Sequence, residues 1–445
     1  MKNADGALAD ARSLAAILIA RRKRGYALEA PFYVSQEIFD LDMDAIWARH
    51  WLNVGAEADV PEPGDFVTID VGKYSVVIVR GEDGEIRAFH NVCRHRGARI
   101  MNIAKGSTAK IVCKYHHWTY DFTGALRFAE HMAHEVDRGC LGLKPVHLKN
   151  IAGVLFICLS DNPPPDIDEM QKTVEPYLLP HDLRNTKVAQ QVDVVMQGNW
   201  KLAMENNREC YHCSGHPELL KIFFQFFGHA EADVKPRQRA YYERYCRISG
   251  EMHDIWNALA LPWKVVEQLE DRPTAFRLER MPLDNAGESY TADTRAASKR
   301  LLGTFPTPRL GVLSLHTQPN SWNHFLADHA VVFNLLPLTP MTTQLRTKWL
   351  VHKDAVEGKD YDLQTLTQVW RKTNDQDATF VGWNQSGVQN PAYEPGPYSP
   401  NENQVEKFID WYIGRLDAYV GARGASLVRL AKSDRKRAAA GRSAR

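Results

Sequence analysis

Cysteine is scarce in this chain. Seven in 445 residues is a thin and odd number, which excludes a scaffold built on disulfides. Long apolar runs are also missing. The run Leu14–Ala20 falls far short of the roughly 20 residues that a helix needs to cross a bilayer. The basic cluster Arg21, Arg22, Lys23 and Arg24 follows that run, whereas a signal peptide carries its charge first. Asp5 and Asp10 do not suit an organelle transit peptide. A soluble, cytoplasmic protein with no membrane segment is expected. An excess of one charge sign is absent as well: 55 Lys and Arg face 54 Asp and Glu, for a net +1. That balance excludes a polycationic wrapper of nucleic acid. No G-x-G-x-x-G follows a predicted strand, so the chain has no evident nicotinamide or flavin site of its own. What is present is ordinary for a globular protein, 44% hydrophobic and 24% charged residues, so disorder is excluded as the main state.

The fold class expected is α+β. Residues 1–47 read as a helical leader, with apolar residues at helical spacing over 8–24. Residues 48–161 read as an all-β unit of short strands, among them Phe66–Val71, Tyr74–Val79, Ile86–His90 and Val154–Leu159. Glycine-bearing turns such as Gly72-Lys73 and Thr123-Gly124 separate them. The unit ends at Asn162-Pro163-Pro164-Pro165. Residues 162–430 read as an antiparallel sheet with helices segregated to one side. Its predicted strands include Val188–Met196, Arg239–Ile248, Thr274–Met281, Leu310–His316, His329–Pro337 and Thr342–His352. Trp200–His212, Asp360–Val381 and Glu402–Val420 read as its helices. Residues 431–445 hold six basic residues and one acid and read as a disordered tail.

Two short ligand pairs stand out in the β unit. Cys93-Arg94-His95 and Cys113-Lys114-Tyr115-His116 lie seventeen residues apart, each at a strand-to-loop transition. Two thiolates and two imidazoles can close a tetrahedral zinc site. They can equally hold a [2Fe–2S] cluster, with two cysteines on one iron and two histidines on the other. The pattern C-x-H, seventeen residues, C-x-x-H, followed by Trp118 and the Thr123-Gly124 turn, resembles the Rieske domains of the Rieske non-haem iron oxygenases. His117 stands where many relatives have glycine and is read as a surface histidine.

The second half carries a matching segment, Glu205-Asn206-Asn207-Arg208-Glu209-Cys210-Tyr211-His212-Cys213-Ser214-Gly215-His216-Pro217. His212 and His216 are four apart, a spacing that shares one face of a helix. The segment resembles the mononuclear iron stretch of the same family. Such iron sites use two histidines and one carboxylate, with positions left open for dioxygen. Within Thr373-Asn374-Asp375-Gln376-Asp377-Ala378, Asp377 best matches the family's acid, and Asp375 is second. The resemblance implies for Glu209 a bridge between the iron histidine and a Rieske histidine of a neighbouring subunit. It also implies a homotrimer and a separate NAD(P)H-dependent reductase of flavin or ferredoxin type. Cys210 and Cys213 form a C-x-x-C around His212, which could be a zinc or redox pair. A thiolate beside a dioxygen-activating iron would oxidise, so both are read as packed, unligated thiols.

Three departures from the aromatic-ring dioxygenases are visible: Glu209 in place of Asp, H-x3-H in place of H-x4-H, and Glu205 where many members have Asn. The run from Glu205 to Leu219, with Tyr393–Ser399 and Phe408–Tyr412, is similar to the branch that oxidises quaternary ammonium compounds of the glycine betaine or proline betaine type. That branch implies a monooxygenase that hydroxylates an N-methyl group with O2, releasing formaldehyde and the demethylated amine. The alternatives are an arene dioxygenase alpha subunit and a Rieske electron carrier without catalysis. A quaternary ammonium has no N–H and is held by aromatic faces. Trp256 and Trp263 are the cage candidates, and Phe223–Phe227 follows the histidine pair closely enough to line a pocket.

Overall fold

The computed structural model describes residues 4–132, 137–224, 226 and 231–421. The basic, disordered tail expected over 431–445, and Phe227 of the aromatic run, lie outside those residues. The strands run in chain order β1 (Leu52–Ala56), β2 (Asp65–Val71), β3 (Tyr74–Arg80), β4 (Ile86–His90), β5 (Lys105–Ser107), β6 (Ile111–Val112), β7 (Thr119–Tyr120), β8 (Leu126–Phe128), β9 (Pro145–Ile151) and β10 (Val154–Cys158) in the first half. All but β6–β8 form one antiparallel sheet in the order β1-β10-β9-β4-β3-β2-β5, and β6-β7-β8 form a three-stranded sheet beside it. Period-two alternation does the sorting. On β3, Val76 and Ile78 face the main core, whereas Val77 and Val79 face a second core that contains Cys93, Cys113, Trp118 and Tyr120. Each such side chain contributes about 1.5–3 kcal/mol by leaving water.

The two ligand-bearing loops are wired alike. Cys93 N–H donates to Ala98 O (2.8 Å), and Gly97 N–H donates to Cys93 O (3.0 Å). In the other loop Cys113 N–H donates to Trp118 O (2.9 Å), and His117 N–H donates to Cys113 O (2.9 Å). Gly97 and His117 therefore occupy equivalent places, and both are left-handed, at φ +76° and +55°. That is the physical reason for a glycine at this point, and His117 accepts a cost of roughly 1–2 kcal/mol to stand there.

In the second half the strands are β11 (Thr186–Met196), β12 (Val266–Gln268), β13 (Phe276–Met281), β14 (Val312–Thr317), β15 (Ser321–Phe325), β16 (His329–Thr339) and β17 (Thr342–His352). They form a seven-stranded antiparallel sheet in the order β11-β17-β16-β15-β14-β13-β12. The expected α+β class is what the chain adopts. Helices Trp200–Asn207 and Leu363–Val388 pack against this sheet and against each other. A last helix spans 403–421. No described helix is long and apolar enough to cross a membrane.

Two expectations about local structure fail. Arg239–Ile248 is not a strand but the start of helix Arg239–Ala258. Its β-prone tyrosines mask a helical repeat: Tyr241, Tyr245, Ile248, Met252 and Trp256 recur every three to four residues and pack together. The helix expected over Trp200–His212 stops at Asn207. His212 and His216 therefore flank a short 3-10 turn, Cys213–Gly215, rather than one face of an α-helix. Pro217 holds the preceding His216 out of the helical region, at φ −115° and ψ 75°.

The leader packs into the second half. Asp42 and Lys201 form an ion pair with both side chains fully buried. Asp42 also accepts from Tyr412 OH (2.7 Å) and Trp200 Nε1–H (3.2 Å). The pair thus ties the leader to helix Trp200–Asn207 and to the last helix.

Candidate active site

Cys93 and Cys113 are buried, unpaired thiols. The rings of His95 and His116 meet edge to face with centroids 4.6 Å apart, and His95 stacks on Trp118 at 4.8 Å. Tyr120 OH lies 3.4 Å from Cys93 Sγ and accepts from Arg94 N–H (3.1 Å). The donor set has two ends, a buried sulfur end and an imidazole end at which His95 is exposed. A tetrahedral zinc site needs all four donors around one point. Among the described residues, the one group of three or more potential ligand atoms within 4.8 Å of one another lies elsewhere. The two-ended arrangement suits a two-iron cluster.

That compact group is His212, His216 and Asp377. Asp377 comes from helix Leu363–Val388, whose N-cap Asp362 accepts from Thr365 N–H. Asp377 Oδ1 lies 3.3 Å from His212 Nε2 and 3.1 Å from His216 Nε2. His216 Nε2 and Asp377 Oδ1 are buried and make no hydrogen bond, which suits atoms that would share a cation. The far sides of both rings are engaged. His212 Nδ1–H donates to Glu209 Oε1 (2.5 Å), and His216 Nδ1–H donates to Gln376 Oε1 (2.7 Å). These bonds hold each Nδ1–H on the far side of its ring and turn each Nε2 toward Asp377, where His212 Nε2 also meets Asn206 Nδ2 at 3.2 Å. Burial by itself would depress His212, but Asp377 and Glu209 outweigh it and raise the imidazole to about 9. Burial would likewise raise Asp377, and the two imidazoles hold it low instead. The pocket favours positive charge at the point the three ligand atoms share. The other candidate acid, Asp375, is exposed on the outer side of the helix.

Glu209 is placed by its own turn. Its Oε2 accepts from the backbone N–H groups of Tyr211 and His212. Cys210 and Cys213 are not separate thiols: they are joined as a disulfide, with Cα atoms 4.9 Å apart. The tight turn through Cys213–Gly215 brings them within the range that a disulfide spans. Glu205 is absent from the triad. It is buried, accepts from Tyr33 OH (2.9 Å), and is pushed up to about 7, chiefly by burial.

A cavity of 130 Å³ opens beside the triad. Phe223, Phe224, Met281 and Trp370 form its apolar lining, and Arg277, Ser314, His316 and His324 its polar lining. Trp256 and Trp263 are not in it. Trp256 is fully buried, donates from Nε1–H to Leu310 O (2.9 Å), and packs with Trp263 and His253 in a separate cluster. Trp370 and Gln376 were not singled out from the sequence. Trp370, Thr373 and Asp377 lie on one helical face at i, i+3 and i+7, so the periodicity could have found Trp370.

Family models match both halves of the chain: a Rieske [2Fe-2S] domain over residues 50–146 and the ring hydroxylating alpha subunit catalytic domain over 183–418. The chain belongs to the Rieske non-haem iron oxygenases. This oxygenase is 44% identical over 421 residues to the glycine betaine monooxygenase oxygenase subunit of Chromohalobacter salexigens, covering 93% of this chain and 92% of that one. It is 41% identical to the subunit of the same name from Pseudomonas aeruginosa, covering 96% and 97%. A quaternary ammonium Rieske monooxygenase solved with gamma-butyrobetaine shares the fold, with a TM-score of 0.63 at 19% identity over 89% of this chain and 97% of that one. As a Rieske oxygenase subunit this chain is an oxidoreductase that binds a [2Fe–2S] cluster and a mononuclear iron, and it works with a separate reductase.

The Gln376 contact yields a first prediction. Gln376→Leu is expected to lower Fe(II) affinity by about 10–100-fold while leaving the visible cluster spectrum intact. An iron titration of the metal-stripped variant checks it, and undiminished affinity would remove the orienting role of Gln376.

Proposed function

We propose that this chain is the oxygenase component of a cytoplasmic betaine monooxygenase that oxidises an N-methyl group. The observation that carries the reading is the triad of His212, His216 and Asp377 opening onto a small cavity with an aromatic wall, in a chain so similar over its whole length to glycine betaine monooxygenase subunits. A cavity of 130 Å³ is well below the roughly 300–1,000 Å³ of sites for drug-sized ligands, which favours a compact substrate.

Cys93, Cys113, His95 and His116 would hold the cluster, the thiolates at its buried end and the imidazoles at its exposed end. His212, His216 and Asp377 would hold the mononuclear iron. When bound, the cluster supplies single electrons and the mononuclear iron supplies dioxygen chemistry. Overall, the N-methyl carbon, O2, two electrons and two protons give an N-hydroxymethyl group and water. The N–CH2OH group then loses a proton from oxygen, and its C–N bond breaks to give formaldehyde and the tertiary amine. The residues hold the reactants in place. Phe223 and Phe224 present aromatic surface to a cation without N–H groups. Glu209 and Gln376 hold the two imidazoles in register.

A head-to-tail homotrimer brings the cluster of one subunit to the iron of the next. Complementary surfaces support this. Arg94 and Arg96 flank the exposed His95 in sequence, Lys114 precedes His116 by two, and Arg96 donates to the exposed Tyr115. A recess of 350 Å³ beside His212 is lined by Glu205, Glu209 and Glu402, and Tyr211 and Trp383 nearby are 66% and 68% exposed. Glu209 is the bridge in this arrangement. Glu209→Gln keeps an acceptor for His212 Nδ1–H but loses the charge. It is expected to leave both metals bound and to slow reoxidation of the reduced cluster about 10-fold or more, followed by stopped-flow absorbance. An unchanged rate would remove the bridge.

The test of the reaction is a substrate panel. The purified oxygenase, an NAD(P)H-dependent flavin or ferredoxin-type reductase and each betaine are combined, and formaldehyde and oxygen uptake are read together. Equimolar formaldehyde and O2 are expected. A naphthalene arm is run beside them, and oxygen uptake there with a ring diol as product, and no formaldehyde from any betaine, would instead make it an arene dioxygenase.

A further inference from the structure

The cavity beside the triad has two unlike walls. One is aromatic, from Phe223 and Phe224; the other is the face of β14 and β15 that carries Ser314, His316 and His324, with Trp370 stacked on the His324 ring at 4.9 Å. Ser314 and His316 are two apart on β14 and so share a face, and Ser314 stands opposite His324 in the strand register. On that wall Ser314 Oγ, His316 Nδ1 and His324 Nδ1 are buried and bond to no protein group. Ser314 and His324 are themselves only 3% and 6% exposed. A buried polar group left without a partner costs about 1–3 kcal/mol, and native interiors keep such groups few. Three on one wall of one cavity mark the place of a ligand.

The charge around them gives the ligand's sign. Arg208 is fully buried. Its guanidinium donates to Asn207 Oδ1, Gln318 Oε1 and the carbonyls of Thr317 and Ser321 at the β14–β15 turn. Among the described residues no carboxylate pairs with it. A buried charge without a counter-charge is costly. Burial first, and then the Arg208 guanidinium, hold His316 neutral. Burial holds His324 at about 3. Each ring therefore has one N–H to donate. Arg277 also faces the cavity but is engaged by Glu267 and Glu279. Neutral donors in front of an uncompensated guanidinium suit an anion and repel an ammonium.

We propose that Ser314, His316 and His324, backed by Arg208, form a carboxylate subsite, which binds the acid end of a short N-methylated amino-acid zwitterion. The quaternary nitrogen then lies against Phe223 and Phe224, with an N-methyl toward His212, His216 and Asp377. The inference rests on the betaine reading above and sharpens it: the pocket selects zwitterions over quaternary ammonium alcohols of similar size.

The holoenzyme, as wild type, Ser314→Ala and His316→Gln, is titrated by calorimetry with glycine betaine and with choline, which has the same headgroup and no carboxylate. Formaldehyde is measured in parallel, and the cluster spectrum reports folding. Wild type is expected to bind glycine betaine at least about tenfold more tightly than choline, and each substitution to reduce that preference about tenfold, the worth of a hydrogen bond to a charged group. Choline binding as tightly as betaine to wild type overturns the subsite. So does a preference that survives both substitutions, even where wild type demethylates betaine normally. A wild type that shows the preference and its loss, but releases no formaldehyde, overturns the demethylation reading and leaves the subsite in place. A wild type that binds neither compound overturns both.

Discussion

His212→Ala and Asp377→Ala are each expected to lower the iron content from about three to about two per chain and to reduce turnover by at least about 10³-fold, while the red-brown cluster spectrum persists. The expectation follows from geometry. The ligand atoms of His212, His216 and Asp377 lie within 4.8 Å of one another, and two donors hold a ferrous ion far less firmly than three. The paired control is Asp375→Ala. Asp375 is exposed, and two positions from Asp377 is more than half a turn around the helix, so its loss should change neither iron nor rate. Metal analysis and single-turnover kinetics read both. Full iron in Asp377→Ala, or lost iron in Asp375→Ala, would move the third ligand to the other acid.

Cys93→Ser should bleach the cluster and stop turnover with the opposite metal pattern, about one iron remaining per chain. A serine hydroxyl is not the soft thiolate that such clusters require. Cys93 is also 4% exposed in a core with Ile100, Ile111 and Trp118, and an unpartnered hydroxyl there costs about 1–3 kcal/mol. Cys140 is free and exposed, so Cys140→Ser should leave the visible spectrum unchanged. A Cys93→Ser protein that kept its colour would remove Cys93 from the ligand set.

The candidate ligands were legible because they come in short, spaced pairs, and the fold brings His212 and His216 together with Asp377. C-x-H, C-x-x-H and H-x3-H carry their meaning within five residues. The long strands were legible for a similar reason: β17, Thr342–His352, alternates in sequence as it does in space. Where the outcome depended on partners, the sequence pattern misled. The tyrosines of Arg239–Ala258 favour strands as single residues, but their spacing packs a helix. The turn at His212 depends on Pro217 as much as on the histidines. Trp256 and Trp263 had the right chemistry for a cage, but helix Arg239–Ala258 buries Trp256 in its own cluster. The polar wall on β14 and β15 could not be read beforehand, since Ser314 and His324 become neighbours only through strand pairing.

The buried tie at Asp42 bears on the order in which the two metal centres can be made. A chain emerges from the ribosome N-terminus first, at about 5–20 residues per second. The cluster unit is contiguous, and its last strand ends at Cys158. Asp42 waits for Lys201 and then for Tyr412, which follows Cys158 by roughly 250 residues, or on the order of 10–50 s of translation. Asp377 also arrives late, 161 positions after His216. All four candidate cluster ligands, Cys93 to His116, are therefore synthesised well before Asp377 completes the other candidate set. The face of β3 that carries Val76 and Ile78 still waits for the second half to cover it.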